Sequence, residues 1–480
     1  MQASSLIPLM VVGPMTAAVL LNVLHGKDRM LRLLAVFVGL LFIALPLLTI
    51  YGEHYFGGYV RDDAFGRMAV GIVYAFGGNQ RLLVFALAFV AYLMTVSYLG
   101  ASDRLSGAYL SFMFLSLGTS SAILLTDDIF NLYVFLEITL ISQTALVIAT
   151  GTEKAWKAAL KYLIIANVCG NCLLFGIAML LALSGTLNMT DIQAYVAAQG
   201  EAILKNPAYL VACALITIAA AYATGLFPFH NIKAEMYASA KGHAAGLMQT
   251  QTKFILVALG IVLWRFFPAV PGLKYVLLYL AMGAMVFGVI MALKQDNYQN
   301  MLSYHAISQA GYVAAGVSIG TPAALAAGIF HAVNNAIYKT ALFIGCECVE
   351  HRTKTTDFKG LGGLVHSVPA VAALVLVAKL SISGVPPFNG FQSKLRLMTS
   401  AFDAGLPEVT LVMILVSVLT FISMMKAFHL VYMRPGRDDL QTDPVPKTYV
   451  ATLMVLVMLC VLLGFYPQVA LDYIQGLVTR

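Results

Sequence analysis

Apolar runs separated by short polar segments extend along the whole chain. Each run is about 20 residues long, the length that a helix needs to cross a hydrocarbon core of roughly 30 Å. Fourteen such runs lie at about 5–25, 32–51, 81–100, 107–126, 128–150, 157–184, 207–227, 242–266, 274–293, 300–319, 323–347, 367–399, 407–431 and 446–467. The pattern predicts an all-α polytopic membrane protein with about 14 transmembrane helices.

The composition is that of a chain whose solvent is a bilayer. Hydrophobic residues make up 60% of the 480 residues, charged residues make up 11%, and the mean hydropathy is +0.85, which excludes an ordinary soluble domain. The first run has no basic segment before it and no small-residue cleavage site, so we expect a retained helix rather than a cleaved signal.

The polar segments suggest one continuous membrane unit. The longest of them, at about 52–80, 187–206 and 432–446, are interpreted as connections between helices. We expect a single membrane domain over 1–480, made of N-terminal helices at 1–106, a first repeat at 107–266, a second repeat at 274–431 and a last helix at 446–467.

Two runs are interrupted by proline and glycine. Pro228 breaks the seventh run, and Pro386 and Pro387 break the twelfth run, five helices later. Breaks at matched places are typical of an internal repeat, because backbone groups freed inside a membrane need protein or a water-filled cavity to satisfy them. We therefore predict repeats at helices 4–8 and 9–13, inverted because each contains an odd number of helices. The alternative is that the prolines merely kink ordinary spans.

Basic residues indicate an orientation. The formal charge is +7, and most loop lysines and arginines follow odd-numbered runs, among them Lys27, Arg104, Lys154, Lys233 and Lys241. The positive-inside rule then puts these loops in the cytoplasm and both termini on the outer side of a cell (cytoplasmic or inner) membrane. Because the charge is scattered over short loops, it does not indicate a nucleic-acid partner.

An acidic residue lies inside the fifth run. Glu137 is far from either end of that run. A charge at the bilayer centre costs about 2.5–3.5 kcal/mol on insertion scales, so it needs a partner, water or a function. We interpret Glu137 as a proton acceptor. The alternative is a neutral carboxylic acid that is hydrogen-bonded between helices.

Basic residues lie inside the eighth and eleventh runs. Lys253 follows the polar stripe 249–252, which suggests a hydrated interior; a snorkelling lysine is the alternative. His331, Asn335 and Lys339 recur every four residues, so they share one helix face. A polar face of this kind favours a proton relay, although a lone buried histidine is more often a satisfied core residue.

Three further lysines are candidates. Lys379 and Lys394 flank the break in the twelfth run, and either could store or release a proton. Lys394 could also snorkel, and Lys161, near the start of the sixth run, could anchor at the headgroups instead. Desolvation favours the neutral form of lysine and a nearby carboxylate favours the charged form, so alternating Glu, Lys and His residues offer a switchable proton path along the membrane plane.

Five segments give the chain a family resemblance: 128–138, 225–230, 301–312, 330–343 and 384–394. In order and spacing they resemble the antiporter-like subunits shared by respiratory complex I, Mrp-type cation/proton antiporters and membrane-bound energy-converting hydrogenases. The resemblance implies fourteen helices, inverted five-helix repeats and a central hydrophilic axis.

The resemblance also implies roles for individual residues. It implies a relay of Glu137, Lys253, His331, Lys339 and Lys394. The possible members are Asp296, which matches a loop acid of the family but could equally be a solvated loop charge, and, from their places in the chain, Lys161, His230, Asn335 and Lys379.

One position departs from this family pattern. Family members usually carry a lysine seven residues before the histidine that is His230 here, and that position is Ala223. Asn335 likewise stands where a second histidine is common. Either Lys161 or Lys253 serves Glu137 instead, or the subunit has lost full pumping.

These observations favour a proton- or cation/proton-translocating subunit of a larger redox-driven pump or antiporter. We expect partners among the other membrane subunits of a respiratory, hydrogenase or Mrp-like complex, with protons and possibly Na⁺ as the ions. We expect no cofactor or metal in this chain, because Cys169 and Cys172 form a lone CxxC and no HExxH motif is present. The alternatives are a self-standing antiporter and a non-pumping scaffold subunit.

Overall fold

The computed structural model describes residues 6–48, 54–63, 66–102, 104–435 and 443–478. The first part of the chain holds six long helices and one hairpin: α1 (Leu9–Val23), α2 (Asp28–Leu48), β1 (His54–Asp63), β2 (Gly66–Phe76), α3 (Gly78–Ala101), α4 (Gly107–Leu125), α5 (Ile129–Ile148) and α6 (Glu153–Ser184). Side-chain oxygens of Ser106, Asp128 and Thr152 accept backbone N–H groups at the starts of α4, α5 and α6, which fixes where these helices begin.

The rest of the chain is also mostly helical. Its helices are α7 (Met189–Gln199), α8 (Pro207–Thr224), α9 (His230–Ser239), α10 (Gly242–Phe266), α11 (Leu273–Leu293), α12 (Tyr298–Ser318), α13 (Pro322–Thr353), α14 (Leu364–Ser367), α15 (Pro369–Ser383), α16 (Asn389–Asp403), α17 (Pro407–Phe428), α18 (Lys447–Phe465) and α19 (Pro467–Val478). Short 3₁₀ turns lie at Gly200–Lys205 and Phe358–Gly360, and a π turn at His429–Met433 extends α17.

The all-α membrane fold is confirmed. Among the described residues, ten helices are long and apolar enough to cross a membrane, and α1 and α15 are shorter apolar helices. If each broken pair counts once, the fourteen predicted runs correspond to α1 to α6, α8 with α9, α10 to α13, α15 with α16, α17 and α18.

Both predicted breaks are confirmed, and they are capped alike. Helix α8 ends at Gly225 with φ +70°, and α15 ends at Gly384 with φ +79°, a left-handed conformation that glycine adopts without strain. After each glycine the next backbone N–H bonds back to a carbonyl inside the helix, from Leu226 to Ala221 and from Val385 to Leu380. The same chain reversal at both breaks supports the predicted repeat.

Two polar stretches contain structure that the hydropathy pattern did not predict. The stretch at 52–80 holds the antiparallel hairpin β1–β2, whose register runs from His54 opposite Phe76 to Asp63 opposite Gly66. The stretch at 187–206 holds α7, which begins where the side chain of Asn188 accepts two backbone N–H groups. Both elements are too short to show as membrane runs. The third stretch, 432–446, lies partly outside the described residues.

The packing buries many polar groups inside the bundle and leaves large apolar side chains on its outer face. Helices α10, α12 and α13 are buried on nearly all sides, and their polar residues are buried with them. Helices α2, α6 and α17 instead expose large apolar side chains such as Phe37, Phe175 and Ile422. This is the arrangement expected of a bundle whose outer face meets lipid.

A glycine contact between α11 and α12 yields a test of this packing. A methyl group at Gly311 would lie 2.5 Å from the carbonyl oxygen of Ala281 and 2.8 Å from the backbone nitrogen of Met285. We expect Gly311→Ala to destabilise the protein by about 1–3 kcal/mol, because backbone atoms would have to move. The midpoint of thermal unfolding in detergent measures the change.

Gly13→Ala is the matched control. Gly13 lies in α1, and a Cβ there would meet no atom within 4 Å. We expect its midpoint to equal or slightly exceed that of the parent. Equal midpoints for both variants would contradict the close α11–α12 approach.

Candidate functional site

Polar side chains from α4, α5 and α10 meet in the interior. The amide of Gln143 donates to Gln251 over 2.8 Å, and Gln251 donates to the hydroxyl of Ser116 over 3.1 Å. Two residues further along α10, Lys253 is 1% exposed, and its Nζ lies 5.5 Å from the ring centre of Tyr237. The structure therefore places Lys253 in the core, so it does not snorkel to the surface.

Lys233 is the residue that the sequence interpretation missed. The charge pattern assigned it to a cytoplasmic loop, and this assignment was wrong, because α9 packs into the bundle and leaves Lys233 2% exposed. Its Nζ donates to Gln143 Oε1 over 3.2 Å and to Tyr162 Oη over 2.8 Å. The proline break just before it was the available signal, since Lys394 follows the second break in the same way.

A second polar group surrounds α13. Nδ1 of His331 and the hydroxyl of Ser393 are 2.9 Å apart. Tyr338 donates to Gln309 Oε1 over 3.0 Å, and its oxygen lies 3.5 Å from His331 Nε2. His331, Asn335 and Lys339 are all 0% exposed, as are Tyr338 and Gln309, which the sequence interpretation did not single out.

The lysines on either side of the second break are also buried. Lys379 Nζ lies 4.4 Å from the ring centre of Tyr298, and Lys394 Nζ lies 4.9 Å from that of Tyr312. Lys394 lines a cavity of about 300 Å³ between α16 and α17. His305, another residue not singled out from the sequence, contacts Ser423 Oγ over 2.8 Å.

The buried lysines and His305 lie close enough to interact electrostatically with one another. Lys253 interacts electrostatically with Lys233 and with Lys339. Lys339 interacts in the same way with Lys379. His305 is within reach of Lys339, Lys379 and Lys394. The core therefore holds a row of basic groups spaced closely enough for each to sense the charge on the next. We call Lys233, Lys253, Lys339, Lys379 and Lys394 the lysine row.

Glu137 lies at the edge of this core. Its carboxylate packs against Gly170 of α6, where the absence of a side chain leaves room for it. The charge of Glu137 reaches the hydroxyls of Tyr162 and Tyr222. Among the described residues, no lysine or arginine nitrogen lies within 4.0 Å of this carboxylate.

Three of the possible relay residues have other surroundings than the lysine row. Lys161 is 61% exposed and pairs with Glu235 over 3.0 Å, so the hypothesis that it serves Glu137 was wrong. His230 stacks on Phe227 and Phe287, and its Nδ1 lies 3.1 Å from the carbonyl oxygen of Pro228. Asp296 is exposed in the loop before α12.

A separate ion pair links the ends of α5, α7 and α10. Arg265 contacts Asp127 Oδ1 over 3.0 Å and also donates to Thr190 and Gln193, while Thr190 donates to Asp127 Oδ2 over 2.7 Å. This network holds α7 against the bundle. Among the described residues no cluster of His, Cys, Asp and Glu could hold a metal ion.

A helical bundle broken at two matched places around a core of lysines and histidines defines a polytopic ion-transport subunit. The chain belongs to the NADH:quinone oxidoreductase/Mrp antiporter transmembrane family, whose pattern matches residues 126–423, more than half of the sequence. The resemblance inferred from the five sequence segments is thereby confirmed.

Individual proteins agree with this assignment. A Methanocaldococcus jannaschii protein is 42% identical over 478 residues, covering 98% of this chain and 96% of that protein. A Na⁺/H⁺ antiporter subunit from Alkalihalophilus pseudofirmus is 31% identical over 78% of this chain and 76% of its own. A chain of the archaeal membrane-bound sulfane sulfur reductase superimposes with a TM-score of 0.87 at 25% identity, covering 98% and 97% of the two chains.

The burial of Lys253 generates a stability prediction. Lys253 lies between two other cations and has no acidic partner within 4.0 Å among the described residues. Replacing it with methionine keeps the volume and removes the repulsion, so we expect Lys253→Met to stabilise the fold by about 1–4 kcal/mol. Thermal unfolding in detergent measures the shift.

Lys161→Met is the control for this substitution. It removes an exposed ion pair, and we expect a change below about 1 kcal/mol. A clear fall in the unfolding midpoint of Lys253→Met would show that the ammonium group stabilises the core.

Proposed function

We propose that this chain is the ion-translocating subunit of a multi-subunit membrane complex and that protons, or protons in exchange for Na⁺, cross through its polar core. The observation that carries the proposal is the lysine row buried in the centre of the bundle. Burying one ammonium group in a membrane costs several kcal/mol, and a chain that buries several needs a use for them.

The mutual repulsion of the lysines supports a relay. When one lysine of the row gains a proton, the charged form of its neighbour becomes less favourable, so a proton added at one end favours release further along. Tyrosine, glutamine, serine and histidine side chains are buried in the same core and can donate or accept hydrogen bonds. The path is therefore switchable by charge alone.

Glu137 is proposed as the group that controls the proton at one end of the row. A carboxylate favours the charged form of cations near it, and its own protonation removes that influence. Its charge reaches Tyr162, which accepts a hydrogen bond from Lys233. Protonation of Glu137 would thus change the electrostatic environment of Lys233 through one intervening side chain, Tyr162.

Partners and energy source are proposed from the relatives. One relative belongs to a Na⁺/H⁺ antiporter, and one structural neighbour belongs to an archaeal respiratory membrane complex. We propose that this chain likewise assembles with other membrane subunits and that any redox reaction takes place in them. The excess of basic residues in the odd-numbered loops persists without Lys233 and favours a cell membrane with both termini outside.

A non-pumping scaffold is the second candidate function. It is favoured by Ala223, which replaces the usual lysine, and by the lack of a cationic nitrogen within 4.0 Å of Glu137 in the described part of the chain. A scaffold would need the fold and its contacts but not the titration of Glu137.

Replacing Glu137 with glutamine separates the two functions. We expect Glu137→Gln to leave assembly intact and to reduce ion transport at least about tenfold, because a well-placed proton-transfer group contributes about 10²–10⁴-fold. Transport is measured with a pH-sensitive dye in vesicles that contain the purified complex.

Glu153→Gln serves as the matched acid control. Glu153 is exposed and pairs with Lys157 one turn later on α6, so we expect transport at the parent rate. Parent-like transport by Glu137→Gln in a fully assembled complex would favour the scaffold. Transport by the purified single chain would point instead to a self-standing antiporter.

A further inference from the structure

Lys233 lies on the opposite side of a helix break from the position where a lysine is expected. The family pattern places a lysine before the break, at the position of Ala223, and this chain instead has a buried lysine after it, in α9. We infer that Lys233 is the proton-relay lysine of the first repeat. It replaces the lysine that the family pattern places at the position of Ala223. The inference rests on the proposed function and adds to it a residue outside the family pattern.

The break itself holds the stem of Lys233. A Cβ built on Gly225 would lie 2.7 Å from Lys233 Cβ and 2.9 Å from its Cγ, so the lysine stem packs directly against the glycine that ends α8. Ala223 is two residues before that glycine on the same helix. Position 223 therefore lies within one helical turn of the glycine that contacts Lys233, although positions 223 and 233 lie on different helices.

The second repeat shows the same contact. A Cβ built on Gly384, which ends α15, would lie 3.0 Å from Lys394 Cδ. In both repeats a glycine in the left-handed conformation ends the helix before the break and supports a lysine stem from the helix after it. Lys394 also lies over a tyrosine ring at 4.9 Å, as Lys233 does over Tyr162. Lys233 thus packs on its break glycine as Lys394 does, although Lys233 follows Gly225 by eight residues and Lys394 follows Gly384 by ten.

The head group of Lys233 bonds to side chains of the two helices that meet at Glu137. Its two hydrogen-bond acceptors come from α5, which carries Glu137, and from α6, which contacts the carboxylate of Glu137. Tyr162 stacks on Tyr222 with ring centres 5.6 Å apart, and the charge of Glu137 reaches both hydroxyls. On its other side Lys233 is within electrostatic reach of Lys253. Lys233 therefore contacts a tyrosine that senses the charge of Glu137, and its own charge acts on Lys253.

Moving the lysine across the break tests the inference. The variants are Lys233→Met, which keeps the stem and removes the charge, and the double variant Ala223→Lys with Lys233→Met. Each is made in the complete complex and reconstituted in vesicles with a pH-sensitive dye. We expect Lys233→Met to assemble and to lose at least about tenfold in transport, and we expect the double variant to recover a clear part of that loss.

Lys161→Met, which removes an exposed lysine from α6, should transport at the parent rate. Recovery by the double variant cannot come from a purely structural role of Lys233, because methionine still occupies position 233. If Lys233→Met fails to assemble, the double variant decides alone: transport supports the inference, and an assembled but inactive complex overturns it.

Three results overturn the inference in different ways. Normal transport by Lys233→Met, with loss in Glu137→Gln and Lys394→Met, would remove Lys233 from the relay and leave the proposed function standing. Normal transport by all three variants would overturn the proposed function as well. Loss in Lys233→Met that Ala223→Lys does not restore in an assembled complex would overturn the inference that Lys233 replaces the lysine missing at position 223.

Discussion

The arrangement of this protein depends on the difficulty of keeping several like charges inside a membrane. Lys253 and Lys339 each lie within reach of other lysines, and both are almost fully shielded from solvent by α10 and α13. Such groups can be tolerated if polar side chains surround them and if they need not all be charged together. The apolar interior of the bundle therefore contains a polar region around these lysines, and the outer face, which meets lipid, is apolar.

Much of the fold could be predicted from hydropathy, because a membrane span needs a minimum apolar length. The boundaries of α10, predicted at 242–266, agree with the structure, and both proline breaks lie where the sequence placed them. The hairpin β1–β2 could not be predicted in this way, since strand pairing depends on a partner that local hydropathy does not reveal. The same holds for α7, whose position depends on the Arg265–Asp127 ion pair.

The candidate site was predictable where polarity and helical period coincide. The spacing of His331, Asn335 and Lys339 placed them on one face, and the structure buries that face. Lys233 was not predictable from the loop charge, because a lysine after a proline break can lie in water or in the core, and only tertiary packing decides. The roles of these residues in proton transfer stay predictions until transport is measured.

The glycine at position 170 has a mechanical consequence. Helix α6 touches the carboxylate of Glu137 with backbone alone, while its opposite face presents Ile164, Val168 and Phe175 to the surroundings. A rigid helix transmits a displacement from one face to the other, so pressure on the outer face of α6 would tighten or loosen the pocket around the acid. A neighbouring protein could thereby alter the hydration of Glu137 through van der Waals contact, without bringing any charge near it.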